Sequence, residues 1–413
     1  QKGPHHSEYP LHERDEDAVL DEARGLAAAI NLTVVDAIAV KLRQVKPATL
    51  LSEQWLERVD DITRTMDAGL VIIDHNLSPI QQRNLERRWH VKVIDRTGLI
   101  LEIFGARAQT AEGKLQVELA ALEYQRSRLV RSWTHLERQR GGLGFIGGPG
   151  ESQLEIDRRL IDTRIDRIKR DLTQVRRTRG LHREARAKVP YPVVALVGYT
   201  NAGKSTLFNR LSGAEVKAED LLFATLDPTM RAIELATDLT VILSDTVGFV
   251  SNLPTSLVEA FRATLEEVTA ADWIIHVRDV AHDDTDVQRQ DVEQVLSDLG
   301  VDVDEDPRYI EVLNKADLLS EDEQRRQLIT SRRHRPPASR ERMVMTSAET
   351  GYGVDELISV LRRLERAKYQ VRYAQLNHQD GDALNWLYQR GDALSRHDDE
   401  HGIAVTVSMD PVD

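Results

Sequence analysis

The chain has no cysteine among its 413 residues. That excludes disulfides, thiol catalysis and cysteine-based zinc or iron–sulfur sites. No apolar run approaches the ~18 residues that a membrane span requires, and no lipid-anchor motif is present. Residues 1–28 open polar and mixed in charge, without the pattern of a signal peptide. An overall excess of positive charge is also missing, because the formal net charge is −13. This argues against a protein that coats nucleic acid over its whole surface, but it leaves room for one basic face. The expected location is the cytoplasm. What is present is ordinary for a globular protein, 41% hydrophobic and 30% charged. The length allows roughly two to four domains with an ample core.

The chain is organised around residues 191–206. An apolar run there leads into Gly198, Tyr199, Thr200, Asn201, Ala202, Gly203, Lys204, Ser205 and Thr206. The spacing Gly-x-x-x-x-Gly-Lys-Ser is that of a phosphate-binding P-loop, and a strand before it with a helix after it is the context such a loop demands. Gly198 and Gly203 permit turns that a Cβ would block. The turned backbone aims successive N–H groups into one concavity, and the following helix adds its N-terminal partial charge. Lys204 can reach the outer phosphates as a point charge. The Ser205 hydroxyl can ligate a magnesium ion bridging two of them.

Upstream, residues 1–110 alternate helical and strand patterns. Helical spacing covers 17–30, 53–65 and 79–89; β-branched or apolar runs cover 33–42, 70–74 and 91–94. This alternation predicts a small α/β domain with a parallel sheet and no catalytic cluster. Asp74 and His75 close one strand and read as a capping turn. Leu115, Leu119, Leu122, Leu129, Trp133 and Leu136 then follow heptad spacing, with Arg126 interrupting it. A second seam follows at Ile161, Ile165, Ile168, Leu172 and Val175. Two such helices joined by a short loop predict an antiparallel hairpin.

The hairpin tip contains Gly142, Gly144 and Gly147 at dinucleotide-fingerprint spacing. Heptad helices flank it where that motif needs a strand, so the match is discounted. Six glycines and one proline surround two apolar side chains, more than closing a hairpin requires. Gly144, Phe145, Ile146 and Gly147 therefore read as a docking tip. The second helix carries eleven basic against six acidic residues between 154 and 186. Such a stripe suits RNA phosphates, and a solvated face of i, i+4 ion pairs suits it equally. Arg176, Arg177 and Arg179 are its least compensated part.

Downstream of the P-loop helix, strands are expected at 231–236, 240–244, 273–277, 309–313 and 343–346. Helices are expected at 254–268, 285–299 and 354–367, and a basic, proline-containing surface loop at 331–340. The tail from 369 reads strand (371–376), helix (382–394), strand (403–409), a small domain without obvious chemistry. The expected fold class is α/β, a P-loop GTPase domain (188–368) joined to an N-terminal α/β domain (1–112), an antiparallel helical hairpin (113–187) and a small C-terminal α+β domain (369–413).

Three strand-end motifs choose the nucleotide. Asp245, Thr246, Val247 and Gly248 form Asp-x-x-Gly: the Asp can hold magnesium through water and the Gly248 N–H can sense a γ-phosphate. Asn314 and Lys315 precede Asp317, whose carboxylate accepts two hydrogen bonds from a guanine edge. Adenine cannot supply these, and a site built for paired donors rejects an analogue lacking them. Ser347, Ala348 and Glu349 can place a backbone N–H on the guanine oxygen. The ordered set, with the P-loop, points to GTP and GDP. Phe223, Ala224, Thr225, Leu226 and Asp227 precede Pro228 and Thr229. Thr225 and Thr229 are the candidates for completing the magnesium shell, and Thr225 is preferred.

The runs 198–209, 223–229 and 245–249 together resemble the HflX family of GTPases, and the glycine-tipped hairpin followed by Glu-Ser-Gln-Leu-Glu is similar to that family's helical domain. The resemblance covers nearly all of residues 15–413. It implies binding to the large ribosomal subunit and a role in splitting or rescuing stalled ribosomes under stress. Assembly of immature subunits, or nucleotide-gated binding with hydrolysis only as a reset, are the alternatives. No catalytic side chain is assignable: Phe249 stands where many GTPases carry a water-orienting Gln, and no arginine finger is evident. Hydrolysis is thus expected to be slow until the ribosome orders the loops around Thr225 and Phe249. Asn201 matches a P-loop Asn that holds potassium in related GTPases, so K+ joins Mg2+ as an expected cofactor. The chain is expected to be a monomer when free.

Overall fold

A computed structural model describes residues 16–42, 44–139, 153–186, 191–213, 222–223, 229–236, 239–251, 265, 267–399 and 402–409. The chain opens with α1 (Glu16–Ala28) and α2 (Glu53–Thr65), then β1 (Leu70–Ile73), α3 (Pro79–Trp89) and β2 (Lys92–Asp95). The two strands pair in parallel, with α3 as the crossover. That helix starts where a complete capping box lies: Ser78 accepts from the Gln81 N–H, the Gln81 side chain returns to the Ser78 N–H, and Pro79 occupies the first turn. The expected strand at 33–42 is absent. These residues carry no strand hydrogen bonds, and Val34 and Val35 are exposed. A β-branched run becomes a strand only where a neighbour takes up its backbone groups.

α4 (Arg96–Arg107) follows β2 without a loop, with Asp95 as its cap. It leads to the hairpin of α5 (Ala111–Gln139) and α6 (Gln153–Arg186). Leu119 packs on Ile165, Ile168 and Leu172, as the heptad spacing predicts. Arg126, the interruption in the seam, pairs with Asp162 at 3.4 Å. The hairpin tip, including Gly144, Phe145, Ile146 and Gly147, lies outside the described residues, as do the side chains of Arg176 and Arg179.

The central sheet holds six strands: β3 (Val193–Val197), β4 (Thr229–Ala236), β5 (Leu239–Asp245), β6 (Trp273–Asp279), β7 (Tyr309–Asn314) and β8 (Met343–Met345). Their order is β4-β5-β3-β6-β7-β8, parallel except for the edge strand β4. β6, β7 and β8 are almost wholly buried, as strands covered on both faces are, and the polar His276, Arg278 and Glu311 within them are buried too. Helices α7 (Lys204–Ser212), α8 (Thr285–Asp298), α9 (Glu321–Arg333), α10 (Pro337–Arg340) and α11 (Val354–Arg366) complete this unit. The expected helix at 254–268 falls mostly outside the described residues.

One face of the sheet does not stop at its own helices. Ala195, Val197, Phe249, Val250 and Val292 share a single apolar cluster with Leu26, Ile100, Phe104, Val117 and Ala120 from the N-terminal helices. The Phe223 ring meets Phe104 edge-on, centroids 4.7 Å apart.

Two expectations need correction. Residues 331–340 are not a surface loop. Arg335 is buried and bonds to carboxylates of Glu293, Asp304 and Glu311. The tail has one more strand than expected. After β9 (Gln370–Leu376), the helix α12 (Gly381–Arg390) ends early, and β10 (Gly391–Asp399) pairs antiparallel with β11 (Gly402–Met409). The antiparallel order is β10-β11-β9, and α12 covers Val405 and Val407 with Leu387.

Candidate nucleotide-binding site

The P-loop leaves the C-terminal end of β3, the edge at which open α/β sheets bind ligands. Gly198 has φ +148°, and a Cβ there would lie 2.2 Å from the Val277 carbonyl oxygen. Gly203 has φ +93°, and its Cβ would lie 2.2 Å from Asn314 Nδ2. Both glycines are therefore required by dihedral angle and by space. Asn201 adopts the left-handed conformation between them, φ 59°. Ala202 is buried and Thr206 is half-buried on the first turn of α7.

Lys204 is buried, and its Nζ donates to the carbonyl oxygens of Gly198 (3.1 Å) and Tyr199 (2.8 Å). Burial lowers its pKa to about 8, against the opposing pull of Asp245. A cation so poorly solvated gains strongly from an anion placed beside it. Ser205 Oγ donates to Asp245 Oδ2 at 2.7 Å. These two hard oxygens fit magnesium, which takes one or two protein oxygens and completes its shell with phosphates and water. Among the described residues no cluster of three or more metal-ligating side chains competes with them.

Beyond Asp245 the chain lies directly on the P-loop. Thr246 Oγ1 donates to the Leu196 carbonyl at 2.6 Å, and Val247 enters the apolar core. Phe249 N–H donates to the Gly198 carbonyl (3.1 Å), and Thr200 N–H donates to the Phe249 carbonyl (2.7 Å). Gly248 is held so close that a Cβ would sit 2.9 Å from Lys204 Nζ and from Thr200 Cα. The Phe249 side chain is buried among core residues, so it offers nothing to a water molecule.

At the base end Asn314 is the hub. Its Nδ2 donates to the Ala202 carbonyl at 2.8 Å, while its Oδ1 accepts from the Ala348 N–H at 2.9 Å and from Thr346 Oγ1 at 3.2 Å. One side chain thus joins the P-loop to both later motifs. Lys315, left-handed at φ 64°, reaches Asp279 at 2.8 Å. Asp317 lies exposed in a 3-10 turn (Ala316–Leu318). Ser347 is buried, its Oγ accepting from the Thr350 N–H at 3.1 Å, and Glu349 is exposed.

Phe223 is buried against the N-terminal helices with φ 58°. Ala224, Thr225, Leu226 and Asp227 lie outside the described residues. Arg177 is exposed on α6, and the nearby basic residues Arg164 and Lys169 pair with Glu118 and Glu123 of α5.

Two sets of residues carry no motif and were not anticipated. The Tyr199 hydroxyl donates to Glu22 Oε2 (2.6 Å) and accepts from the Ser251 N–H (2.7 Å). Arg96 bonds to Glu22, to Asp74 Oδ1 (2.5 Å) and to the Ser251 carbonyl (2.9 Å). Asp74 thus joins the contacts between the N-terminal helices and the segment after Gly248. The second set is Arg210 of α7, bonded to the loop at 347–349. No sequence spacing marks either set, because the partners meet only through the fold.

A P-loop, an Asp-x-x-Gly segment laid across it and an Asn-Lys-x-Asp turn at the ends of one doubly wound sheet define a P-loop GTPase. Residues 17–105 match the family model described as GTP-binding GTPase N-terminal, residues 107–186 the GTP-binding GTPase Middle Region, and residues 193–315 the 50S ribosome-binding GTPase. The chain is 50% identical to the GTPase HflX of Magnetococcus marinus over 84% of its own length and 77% of that protein's. It is 41% identical to the GTPase HflX of Escherichia coli, covering 95% of this chain and 90% of the relative. The chain belongs to the HflX family of GTPases. Its fold is similar to that of SsGBP crystallised with GDP, at 24% identity and a TM-score of 0.50, over 83% of this chain and 94% of that one.

Proposed function

We propose that this GTPase acts on the large ribosomal subunit and couples its GTP/GDP cycle to splitting or rescue of stalled ribosomes under stress. The observation that carries this reading is the match of residues 193–315 to a family described as 50S ribosome-binding GTPases. The hairpin supports it with the basic excess of its second helix, eleven basic against six acidic residues between 154 and 186.

In this reading GTP lies along the P-loop, with its phosphates in the N–H concavity of residues 198–206. Lys204 neutralises the outer phosphates, and the Gly248 N–H meets the γ-phosphate. Asp317 reads the guanine 2-amino and ring N–H groups, and a backbone N–H of the loop at 347–349 reads its oxygen. Ser205 directly, Thr225 when GTP is bound and Asp245 through water would hold magnesium, which would supply positive charge against the phosphates as negative charge develops there. Asn201 holds potassium, which equal turnover in sodium and potassium would contradict.

With Phe249 buried in the core, the attacking water has no side chain from that position to orient it. The ribosome supplies the missing order, an effect worth roughly 10³–10⁵-fold when a partner completes such a site. Gly144, Phe145, Ile146 and Gly147 dock the hairpin tip, and Arg176, Arg177 and Arg179 meet rRNA phosphates. The free protein is a monomer in the cytoplasm. The test is GTP hydrolysis with and without purified large subunits. Stimulation is expected, and rates unchanged by saturating subunits would overturn the proposal. Stimulation by precursor subunits alone would favour assembly instead.

A further inference from the structure

We propose that Arg210 is a positioning residue for guanine recognition, acting through the backbone of the loop at 347–349. This rests on the reading that the loop faces the 6-position of the base. Arg210 lies on α7, the helix that begins at the P-loop lysine. Its Nε donates to the Ala348 carbonyl at 3.1 Å, and its terminal nitrogen donates to the Glu349 carbonyl. Gly351 lies alongside: a Cβ there would be 3.7 Å from the guanidinium, in ordinary contact.

Two consecutive carbonyls on one planar fork fix two peptide planes at once. In a trans peptide the carbonyl and the following N–H point in opposite directions. Holding the Ala348 carbonyl therefore turns the Glu349 N–H away from Arg210, toward the opposite side of the loop. That side also carries the Ala348 N–H, which faces Asn314 Oδ1 at 2.9 Å. Asn314 ties this loop to the P-loop from within, through the Ala202 carbonyl. Arg210 ties it to the P-loop helix from without. The loop's donors are thus held in register with the phosphate site by two separate struts.

The charge adds to the geometry. A cation bonded to a carbonyl polarises that amide and strengthens the next N–H as a donor. A strengthened donor favours a keto oxygen at the purine 6-position. It disfavours the amino group that adenine presents there.

The experiment compares GDP with 2-aminopurine riboside diphosphate, which keeps the 2-amino group and lacks the 6-oxygen together with the ring N1–H; the change in their ratio on substitution of Arg210 isolates the loop, because Asp317 is the same in every variant. Affinities are measured for the full chain and for R210A and R210K, with thermal unfolding of each to establish folding. Arg210 is exposed, so both variants should fold. The wild type should prefer GDP. R210A should lose about tenfold in GDP affinity, the scale of one hydrogen bond to a charged group, and leave the analogue within about twofold. R210K should recover part of the difference, since an ammonium keeps the charge but lacks the planar fork that fixes both peptide planes. Equal losses for both nucleotides, or none for either, would overturn the role of Arg210. A wild type without preference between them would instead overturn the reading of the loop itself.

Discussion

Replacing Gly248 by alanine tests how tightly the Asp-x-x-Gly segment is laid on the P-loop. A Cβ at this position meets three atoms at 2.9 Å: Lys204 Nζ, Thr200 Cα and Thr200 Cγ2. The lysine end could swing aside, but Thr200 Cα is backbone within the loop that cradles phosphate. The segment must therefore lift, and the strain is steric, since Gly248 does not have a left-handed φ. Lifting it breaks or stretches two backbone bonds, Thr200 N–H to the Phe249 carbonyl at 2.7 Å and Phe249 N–H to the Gly198 carbonyl at 3.1 Å. At about 0.5–1.5 kcal/mol each, the local loss is about 1–3 kcal/mol. Displacing the Gly248 N–H from the γ-phosphate costs more in catalysis, on the order of 10²–10³-fold, as loss of a preorganised donor does. GDP does not use that donor, so its affinity should stay within about threefold of wild type. Single-turnover hydrolysis, with GDP affinity measured in parallel, reads both. A G248A protein that hydrolyses GTP at the wild-type rate would refute the steric reasoning.

Three further outcomes are expected. Arg335→Leu leaves Glu311, 3% exposed, with one of its two guanidinium partners gone, and should cost about 3–5 kcal/mol in urea unfolding. Stability should fall on acidification in two overlapping steps, each at most about 1.4 kcal/mol per pH unit. Burial lowers His276 from 6.5 to about 3, so the unfolded chain binds a proton first and stability is lost as pH drops below 6.5. Burial alone would raise Glu311, but Arg278 and Arg335 hold it at about 2, so its contribution is present above about 4.5 and lost as pH falls toward 2; urea midpoints at closely spaced pH values check both. A double-mutant cycle of Arg96→Met and Arg128→Met should show coupling of about 0.5–3 kcal/mol in stability if the junction and the hairpin root act as a unit, and additivity within about 0.5 kcal/mol otherwise.

The sheet was legible because strands buried on both faces are rich in apolar residues, throughout in 193–197 and at four of six positions in 309–314. The phosphate and base motifs were legible because their chemistry forces particular residues at fixed spacing: glycine where a Cβ would strike Val277, asparagine where one amide serves three partners. What failed depended on distant neighbours. Residues 391–394 read as the end of a helix and the polar residues 395–399 as no element, but β11 offers them an apolar, unpaired edge and 391–399 become a strand. Arg335 looked like a surface charge until Glu293, Asp304 and Glu311 converged on it from three other segments. Tyr199 occupies a variable position of the P-loop pattern, and its hydroxyl partner Glu22 lies 177 residues earlier. Periodicity and motif spacing have no access to contacts of that range.

Those contacts decide how the nucleotide site meets the rest of the chain. Asp95 and Arg96 are neighbours with different duties. Arg96 reaches the Ser251 carbonyl, three residues past Gly248. Asp95 caps α4 through the Gly98 N–H and takes the Tyr124 hydroxyl (2.5 Å) and Arg128 (2.6 Å) of hairpin helix α5. Burial and the Asp95 hydrogen bond push the Tyr124 phenol well above its usual range, so it stays a donor at any physiological pH. From Lys204 to the hairpin root the path runs through Gly248, Ser251, Arg96, Asp95 and Arg128. Each link is a packed contact, a short run of chain or a hydrogen bond, and the apolar cluster joining Phe249 to Phe104 runs beside it. Close-packed interiors shift between discrete arrangements and do not deform smoothly. Under the proposed function, a γ-phosphate that displaced Gly248 and Ser251 would have to break the Arg96 contacts or carry α4 with it, and in the second case the Asp95 contacts to Tyr124 and Arg128 would move too.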